Sequence, residues 1–575
     1  MGHRMKSQHH NSNRQHRKGS VLLAVLVIVA LLALGAYTFS NTMVVEAEAT
    51  AMYGRRVQTR MFADSGVEMV KAILSEEKTF GSTNYYHDPD RLAAIIMRDS
   101  EQERGRGYFS VVSPIESDET STGIRFGFRD ESAKINLNAL VQLEFDDEEA
   151  RREVIMYLPN MTLEVADAIL DYIDDDFTPR ANGVESDYYL ALNPPYYAKD
   201  KPLETMDELL KVAGVTEQLL YGEDANRNGI LDPNENDGDE TLPVDNGDGV
   251  LDPGWSAYLT IYGRELNTRE DGSPRVFVNN NTLTELYDQL AEEFGDDIAQ
   301  FIIAYRMSGP SDDPYIPEED DPASESDPSS PSNSATAASS SESSSGRSSK
   351  GSPSTSNVAS AANAIAETLY GTSGEEGSVT RGGMDLSKGA NTNIDSLYQL
   401  IGVKVDVEID GQLTTLDSPV SADPSDILTT MPLLLDGLSV TEDTSLPGRI
   451  NVNQARRETL LGIPSMSEII AQNILGSQVI DASGAPIGDE IANRSTTAWL
   501  VAEGLVTLQE MRVLDKYLTS RGNVYTAQIV GFFEEGGPFT RLETVFEATG
   551  SETKILLQRD LSNLGMGYSQ TMLMQ

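Results

Sequence analysis

A twelve-residue acidic loop is the part of this sequence whose residue types and spacing come closest to a defined chemistry. Oxygen-bearing side chains fall at its first, third, fifth, ninth and twelfth positions, and glycine stands at position six, where a sharp turn is needed. The residue at position seven can offer its backbone carbonyl. This spacing predicts a calcium site of the EF-hand type, with the ligands Asp224, Asn226, Asn228, Ile230, Asp232 and Glu235.

A second acidic turn follows and repeats the core of the first loop. Its candidate ligands are Asp245, Asn246, Asp248 and Asp252, but it has no acid at position twelve. Asp, Asn and Gly also favour turns without any metal, so a pair of solvated turns is the alternative at both places. The complete spacing favours calcium at the first loop and makes the second turn the weaker candidate.

A further group of carboxylates comprises Asp174 to Asp176, Glu185 and Asp187. Paired carboxylates serve glycosidases, but no companion aromatic cleft can be identified, so metal binding or structural capping is the predicted use. The chain has no cysteine, and four of its five histidines lie in the first nineteen residues. Thiol catalysis is thereby excluded, histidine chemistry nearly so, and the sequence predicts that the protein is not an enzyme.

The length and net charge of the chain limit the classes of protein to which it can belong. A chain of 575 residues with 39% apolar content can form several folded domains. The formal net charge is -48, and loss of a leader with five basic and no acidic residues would make it more negative. Such a surface repels phosphate backbones, so nucleic acid is not an expected partner.

The elements that must position these groups begin with an apolar run from Val21 to Phe39, which follows a basic leader. Its length suits a membrane crossing, and the basic leader predicts a cytoplasmic N-terminus with the rest exported. Helical periodicity continues to about Lys78. Strands are predicted at Tyr108–Ile115, Ile124–Phe128, Tyr258–Tyr262 and Val524–Phe533, and a closing helix at Leu542–Ala548.

The junction between leader and apolar run resembles the class III signal of type IV pilins and type II secretion pseudopilins. A secretory signal would be cut after its apolar run, whereas here the processing point, Lys18-Gly19, precedes it. The resemblance implies that a prepilin peptidase cuts between Gly19 and Ser20. Apolar Ala24 would then be the fifth mature residue, where most pilins have glutamate. An ordinary signal anchor with a chance glycine is the alternative.

An internal repeat dominates the exported part. Each copy opens with a basic residue and a short strand ending in Asn, at Lys134, Arg275 and Arg449, and each leads into helical segments. We expect Asn138 and Asn453 to cap the following helices. Two copies contain a hairpin with proline, at Pro159, Asn160, Pro464 and Ser465, which predicts helix-hairpin-helix units. Because the hairpins lack Lys/Arg clusters and the domain is acidic, a structural or protein-binding role is favoured over DNA binding.

These patterns together resemble the minor pseudopilin K family of type II secretion. The resemblance rests on the Asn-Leu-Asn strand, the proline hairpin, the acidic stretch 173–189, Pro194-Pro195-Tyr196 and Leu203–Leu209. It implies a tip position on the pseudopilus, initiation of assembly, and a calcium-binding head. Implied partners are the other minor pseudopilins, the major pseudopilin, the prepilin peptidase and the inner membrane. The middle repeat departs from the family by placing Phe277 where Asn is expected.

The expected fold is α/β: a type IV pilin-like transmembrane helix and α+β head, with a large inserted helical domain carrying the helix-hairpin-helix repeats. The expected segments are a leader (1–19), a pilin helix (20–78), a periplasmic domain (79–307), a disordered Ser/Pro-rich insertion (308–362) and a C-terminal repeat with closing strands (363–575). A single-pass protein of the inner membrane is expected. Alternatives are a membrane-anchored calcium-dependent adhesin and a type IV pilus minor pilin.

Overall fold

The structure is a computed structural model of the chain. It describes residues 18–76, 86–115, 123–143, 145, 148–238, 240–311, 379–478, 494–549 and 552–575. The predicted leader lies outside the described residues up to residue 17, and the predicted Ser/Pro-rich insertion lies outside them from residue 312 onward.

One helix of 59 residues, α1, runs from Lys18 to Glu76, close to the predicted span. Its most apolar eighteen-residue window has a mean hydropathy of 2.7, and none of that window is buried. By length and composition this helix can cross a membrane. Its second half is amphipathic, and Phe62, Val67 and Val70 are buried against the rest of the protein.

The other elements of the described residues are shorter. The α-helices are α2 (Pro89–Leu92), α3 (Leu137–Leu140), α4 (Glu148–Met156), α5 (Leu163–Ile173), α6 (Ser186–Leu190), α7 (Glu217–Tyr221), α8 (Leu283–Phe294), α9 (Asp296–Ser308), α10 (Pro424–Gly437), α11 (Arg457–Leu461), α12 (Glu468–Ser477), α13 (Ala498–Ala502), α14 (Leu508–Leu514) and α15 (Gln570–Leu573). The strands are β1 (Ile95–Arg98), β2 (Gly107–Pro114), β3 (Ile124–Arg125), β4 (Arg129–Asp130), β5 (Ile135–Asn136), β6 (Leu259–Thr260), β7 (Arg264–Leu266), β8 (Val276–Phe277), β9 (Thr380–Arg381), β10 (Met384–Asp385), β11 (Lys404–Ile409), β12 (Gln412–Asp417), β13 (Leu438–Ser439), β14 (Ser445–Pro447), β15 (Ile450–Asn451), β16 (Leu518–Thr519), β17 (Val524–Phe533), β18 (Thr540–Glu547) and β19 (Lys554–Asp560).

Helix α1 packs on an antiparallel sheet with the strand order β1-β2-β17-β18-β19. The contact is close at Gly66, where a Cβ would come within 2.6 Å of Ile529 and 2.9 Å of Phe109. Strand β3 pairs with β2, and β4 pairs with β17. A long, partly apolar helix on a mixed α/β head confirms the predicted pilin-like fold.

The predicted strands Tyr108–Ile115 and Val524–Phe533 are present as β2 and β17, which pair with each other inside the sheet, and the predicted strand Ile124–Phe128 is limited to the short β3. The predicted closing helix at Leu542–Ala548 is wrong. This segment forms strand β18, which pairs with β17 on one side and β19 on the other. Both faces of the sheet are covered, so seven of the eight β18 residues are buried. The strand therefore lacks the alternation of apolar and polar residues that would have identified it.

The large insertion leaves and re-enters the sheet at neighbouring positions. Strand β4 places Asp130 opposite Tyr525 and Arg129 opposite Thr526 of β17, so residues 131–523 form an excursion from one point of the sheet. Asp130 is buried there and accepts hydrogen bonds from the amide of Asn451 at 2.7 Å and from a backbone N–H. Its burial raises the pKa of this carboxyl to about 6.

Within the insertion, the three predicted repeats share one arrangement. Each opening strand pairs in parallel with a strand that returns later in the chain, as β5 with β6, β8 with β13 and β15 with β16. The predicted strand Tyr258–Tyr262 is the short β6. A helix pair follows each opening: α4–α5, α8–α9 and α11–α12. Whether these pairs are true helix-hairpin-helix motifs stays a prediction.

The last Asn of each opening strand joins two distant segments, so the capping role predicted for Asn138 and Asn453 is wrong. The Asn138 amide donates to Leu203 at 2.9 Å, and Asn136, two residues earlier, caps α3 instead. Equivalent bridges link Asn279 to the carbonyls of Ile394 and Val440, and Asn453 to those of Arg494 and Ser520. The middle repeat thus keeps this bridge despite Phe277.

We predict that Asp130→Asn flattens the pH dependence of stability. The raised pKa of Asp130 means that the folded state holds an extra proton between about pH 4 and 6, so stability falls as pH rises through that window. A shift of about two pKa units corresponds to about 3 kcal/mol. Urea unfolding of the full chain at pH 4.5 and 7 measures the difference. The exposed Asp395→Asn is the control, and equal pH profiles for Asp130→Asn and the wild type would contradict the prediction.

Candidate functional site

The loop from Asp224 to Glu235 closes on itself through hydrogen bonds of its own side chains. The Asp224 carboxylate accepts from the backbone N–H groups of positions five and six, both at 2.9 Å. The Glu235 carboxylate accepts from those of positions two and nine, both at 3.0 Å. Gly229, at position six, has a φ of 70°, which only glycine adopts without strain. The side-chain amides of Asn226 and Asn228 donate to the Asp232 carboxylate at 2.5 and 2.9 Å, so these three predicted ligands contact one another.

The charges within this loop favour a cation. Burial raises the pKa of Asp224 to about 6, and burial together with the nearby carboxylates raises that of Glu235 to about 7. The side-chain oxygen of Asn226 is buried and has no hydrogen-bond partner. Ile230 is buried in the hydrophobic cluster that also contains residues of α1, the sheet and the C-terminal segment. This loop therefore contains a buried oxygen without a hydrogen-bond partner and two carboxylates whose charged forms are disfavoured by burial. Such a set fits a cation that prefers oxygen ligands, such as calcium.

The second turn is held by backbone hydrogen bonds. Asp245 accepts from Gly238 and Gly247, both at 2.8 Å, and from Asp237 at 3.0 Å. Glu223 accepts from the N–H groups of Asn246 and Asp252. These contacts suit a metal-free acidic turn as well as an ion site, so the structure leaves both alternatives at this turn.

The structure brings the acidic stretch after α5 together as a third candidate site. One oxygen from each of Asp174, Asp176 and Glu185 lies within 4.8 Å of the others. Glu185 is 8% exposed, one of its oxygens has no hydrogen-bond partner, and burial raises its pKa to about 7. A divalent cation bound by these three groups would neutralise them. The Arg180 guanidinium, 2.5 Å from Asp174, supplies part of that charge.

Helix α5 carries the aspartates that lie next to this site. Asp167 and Asp171 share one face of α5, and Asp174 follows as the residue that caps the C-terminus of the helix. Asp171 is fully buried, and its carboxylate forms an ion pair with the Arg180 guanidinium at 2.7 Å. Gly183 passes so close to Asp171 that any Cβ would clash with its carboxylate. Sequence reasoning missed Asp171 and Arg180, although the helical spacing of the aspartates was a usable signal.

The predicted hairpin residues and His87 are distant in sequence from these carboxylates and make contacts within their own segments. Asn160 and Ser465, directly after Pro159 and Pro464 in the two hairpins, take φ values of 56° and 66°, in the left-handed region that favours glycine. His87 accepts a hydrogen bond from a backbone N–H.

The predicted processing residues Gly19 and Ser20 lie in the first turn of α1, and Ala24 is exposed on the same helix. Their position at the start of a helix that can cross a membrane is compatible with the predicted cleavage.

We predict that Arg180→Ala destabilises the protein by about 3 kcal/mol at pH 7, because it leaves the buried Asp171 carboxylate without its charged partner. The control is Arg381→Ala, which breaks a pair with the half-exposed Asp288 and should cost less than about 1 kcal/mol. Denaturant unfolding of the two variants provides the comparison, and equal costs would refute the structural role of Arg180.

Comparisons with known proteins agree with these features. A family model described as type II secretion system (T2SS), protein K, matches residues 133–221. Type II secretion system protein K of Klebsiella pneumoniae is 29% identical over 216 residues, which cover 36% of this chain and 60% of that protein. A putative type II secretion system protein K of Escherichia coli (strain K12) is 23% identical over 214 residues, covering 35% and 59%. The chain thus spans about 60% of the length of these relatives.

Among solved structures, the chain is similar to one in the crystal structure of the GspK-GspI-GspJ complex from the enterotoxigenic Escherichia coli type 2 secretion system. The TM-score is 0.34 with 10% identity, over 90% of this chain and 99% of that one. The sequence matches confirm the resemblance predicted from the motifs: residues 133–221 of the chain are similar to the type II secretion system protein K family.

Proposed function

We propose that this protein is a minor pseudopilin that sits at the tip of a type II secretion pseudopilus and helps to start its assembly. The observation that carries the proposal is the placement of the family domain. Residues 133–221 are inserted into a sheet that packs on a helix able to cross a membrane. In this role α1 anchors the chain in the inner membrane and the head lies in the periplasm, where it supports secretion across the outer membrane.

The proposed partners are the other minor pseudopilins, the major pseudopilin and, for processing, a prepilin peptidase. Their shared feature would be an N-terminal helix like α1, whose exposed apolar half offers a surface for neighbouring helices. The role is one of assembly rather than catalysis. The family match favours it over an adhesin, and the formal charge of -48 disfavours the DNA-uptake alternative.

The lack of a charge at the fifth mature residue and the bulk of the head support the proposed position at the tip. After cleavage at Gly19, the fifth mature residue is the apolar Ala24. A glutamate there would need a positive partner from the subunit above, since an isolated carboxylate in an apolar core costs several kcal/mol. A subunit with no neighbour above needs no such charge. The insertion of residues 131–523 adds bulk that would hinder stacking.

We expect labelled protein at one end only of each pseudopilus, seen by gold labelling of purified filaments. Gly19→Leu should retain the leader and remove the label from filaments, because the peptidase needs a residue without Cβ. Ala24→Glu is the matched variant that keeps processing, and it should not improve assembly. Labels spaced along the shaft, or a mature N-terminus other than Ser20, would overturn the proposal.

The proposal includes a calcium ion in the loop from Asp224 to Glu235. The ligands would be Asp224, Asn226, Asn228, Asp232 and Glu235, with the backbone carbonyl of Ile230. The charge of the ion would offset the burial that raises the pKa of Asp224, and the burial and carboxylate repulsion that raise the pKa of Glu235. The cluster of Asp174, Asp176 and Glu185 is proposed as a further divalent-cation site, supported by the buried, unpartnered oxygen of Glu185.

We predict that chelation lowers the melting temperature of the purified chain, because an ion that binds only the folded state stabilises it by mass action. At a hundredfold excess of calcium over the dissociation constant the gain is about 2.7 kcal/mol. Glu235→Gln should remove most of the chelator effect, whereas Glu240→Gln, an exposed residue outside the loop, should retain it. An unchanged melting temperature with excess chelator would eliminate the calcium site.

A further inference from the structure

The C-terminal segment, residues 566–573, is a fixed part of the core. Tyr568 and Leu573 are buried in the cluster that also contains α1 residues. The hydroxyl of Ser110, in β2, donates to the carbonyl of Leu573 at 2.8 Å, and the amide of Gln570 donates to the carbonyl of Phe533 at 2.6 Å. The segment therefore lies on the sheet face opposite α1.

This segment contacts the acidic loop at its fifth position, Asn228. The Asn228 side-chain amide donates to the carbonyl of Gly567 at 2.6 Å. The Tyr568 hydroxyl lies 3.2 Å from the Asn228 carbonyl and 2.8 Å from the side-chain oxygen of Gln528, in β17. The Gly567 carbonyl thus fixes the nitrogen of the Asn228 amide, which also donates to Asp232 at 2.9 Å. The Asn228 side-chain oxygen accepts from the N–H of Ile230 within the loop at 2.7 Å and keeps a second lone pair for an ion.

Arg541 locks the loop to the sheet beside this contact. Its buried guanidinium, carried by β18, donates to the carbonyls of Asn226 and Arg227 at 2.8 and 2.6 Å. The same guanidinium leaves no room at Gly567, where a Cβ would come within 2.5 Å of Nη1 and φ is 75°. Loop, sheet and C-terminal segment therefore pack as one interlocked unit.

We infer that residues 566–573 position the acidic loop for its ion, so that calcium binding and docking of the C-terminal segment stabilise each other. The inference rests on the calcium site proposed above. An ion that draws on the Asn228 oxygen polarises the amide and strengthens its donation to Gly567, and a docked Gly567 holds the oxygen toward the ion. By thermodynamic linkage the two effects are equal in free energy.

The test combines hydrogen–deuterium exchange of residues 566–575 with calorimetric titration of CaCl2, on the full chain in detergent. Calcium should slow exchange of the segment at least tenfold relative to chelator. Tyr568→Phe, which removes one hydroxyl, should weaken calcium binding about three- to tenfold, the value of one hydrogen bond. Gly567→Ala should weaken it further. Met574→Ala, in the exposed end, is the matched control and should leave both measurements unchanged.

The outcomes separate the inference from the site on which it depends. If calcium binds the wild type but the segment exchanges equally with and without it, or if Tyr568→Phe binds as tightly as the wild type, the coupling is refuted and the calcium site stands. Protection of the segment that survives in Glu235→Gln would also refute it, because another site would then be responsible. Absence of any calcium binding to the wild type would overturn both.

Discussion

A buried carboxylate, Glu131, joins the inserted region to the sheet, and the remaining architecture depends on this contact. Glu131 lies at the exit from β4 and accepts hydrogen bonds from Thr526 on β17 at 2.6 Å and from Thr260 on β6. Although burial opposes its charge, Lys134 and Arg129 hold the pKa of Glu131 below its ordinary value. Its partner Lys134 is the basic residue that opens the first repeat, so sheet and insertion share one charge pair.

The same device connects the second and third repeats. Glu265, buried on β7, forms ion pairs with Arg275 and Arg449, each at 3.2 Å. These two arginines are the basic residues that open those repeats. One hydrophobic core then extends across both repeats, from Val278 to Leu518. Buried charges of this kind are costly to separate, so they fix the relative placement of the repeats more than they add to stability.

The acidic loop lies where several parts of the protein meet. The loop is the part of the insertion that packs on the sheet, with Ile230 in the hydrophobic cluster of the head and Asn228 against the C-terminal segment. If the proposed ion binds in this loop, it would act where the loop, the sheet and the C-terminal segment meet, and it would stiffen that junction.

The sequence by itself determined the long apolar helix, the three repeats, the resemblance to the protein K family and the spacing of the acidic loop, because each rests on local composition, periodicity or short motifs. It did not determine β18, whose burial on both faces removes the alternating pattern, or the bridges made by Asn138 and Asn453. The convergence of Asp174, Asp176 and Glu185, and the role of a C-terminal segment without any recognisable motif, were decided only by the tertiary structure. Such contacts join residues far apart in the chain, and no local preference specifies which distant partner a side chain will meet.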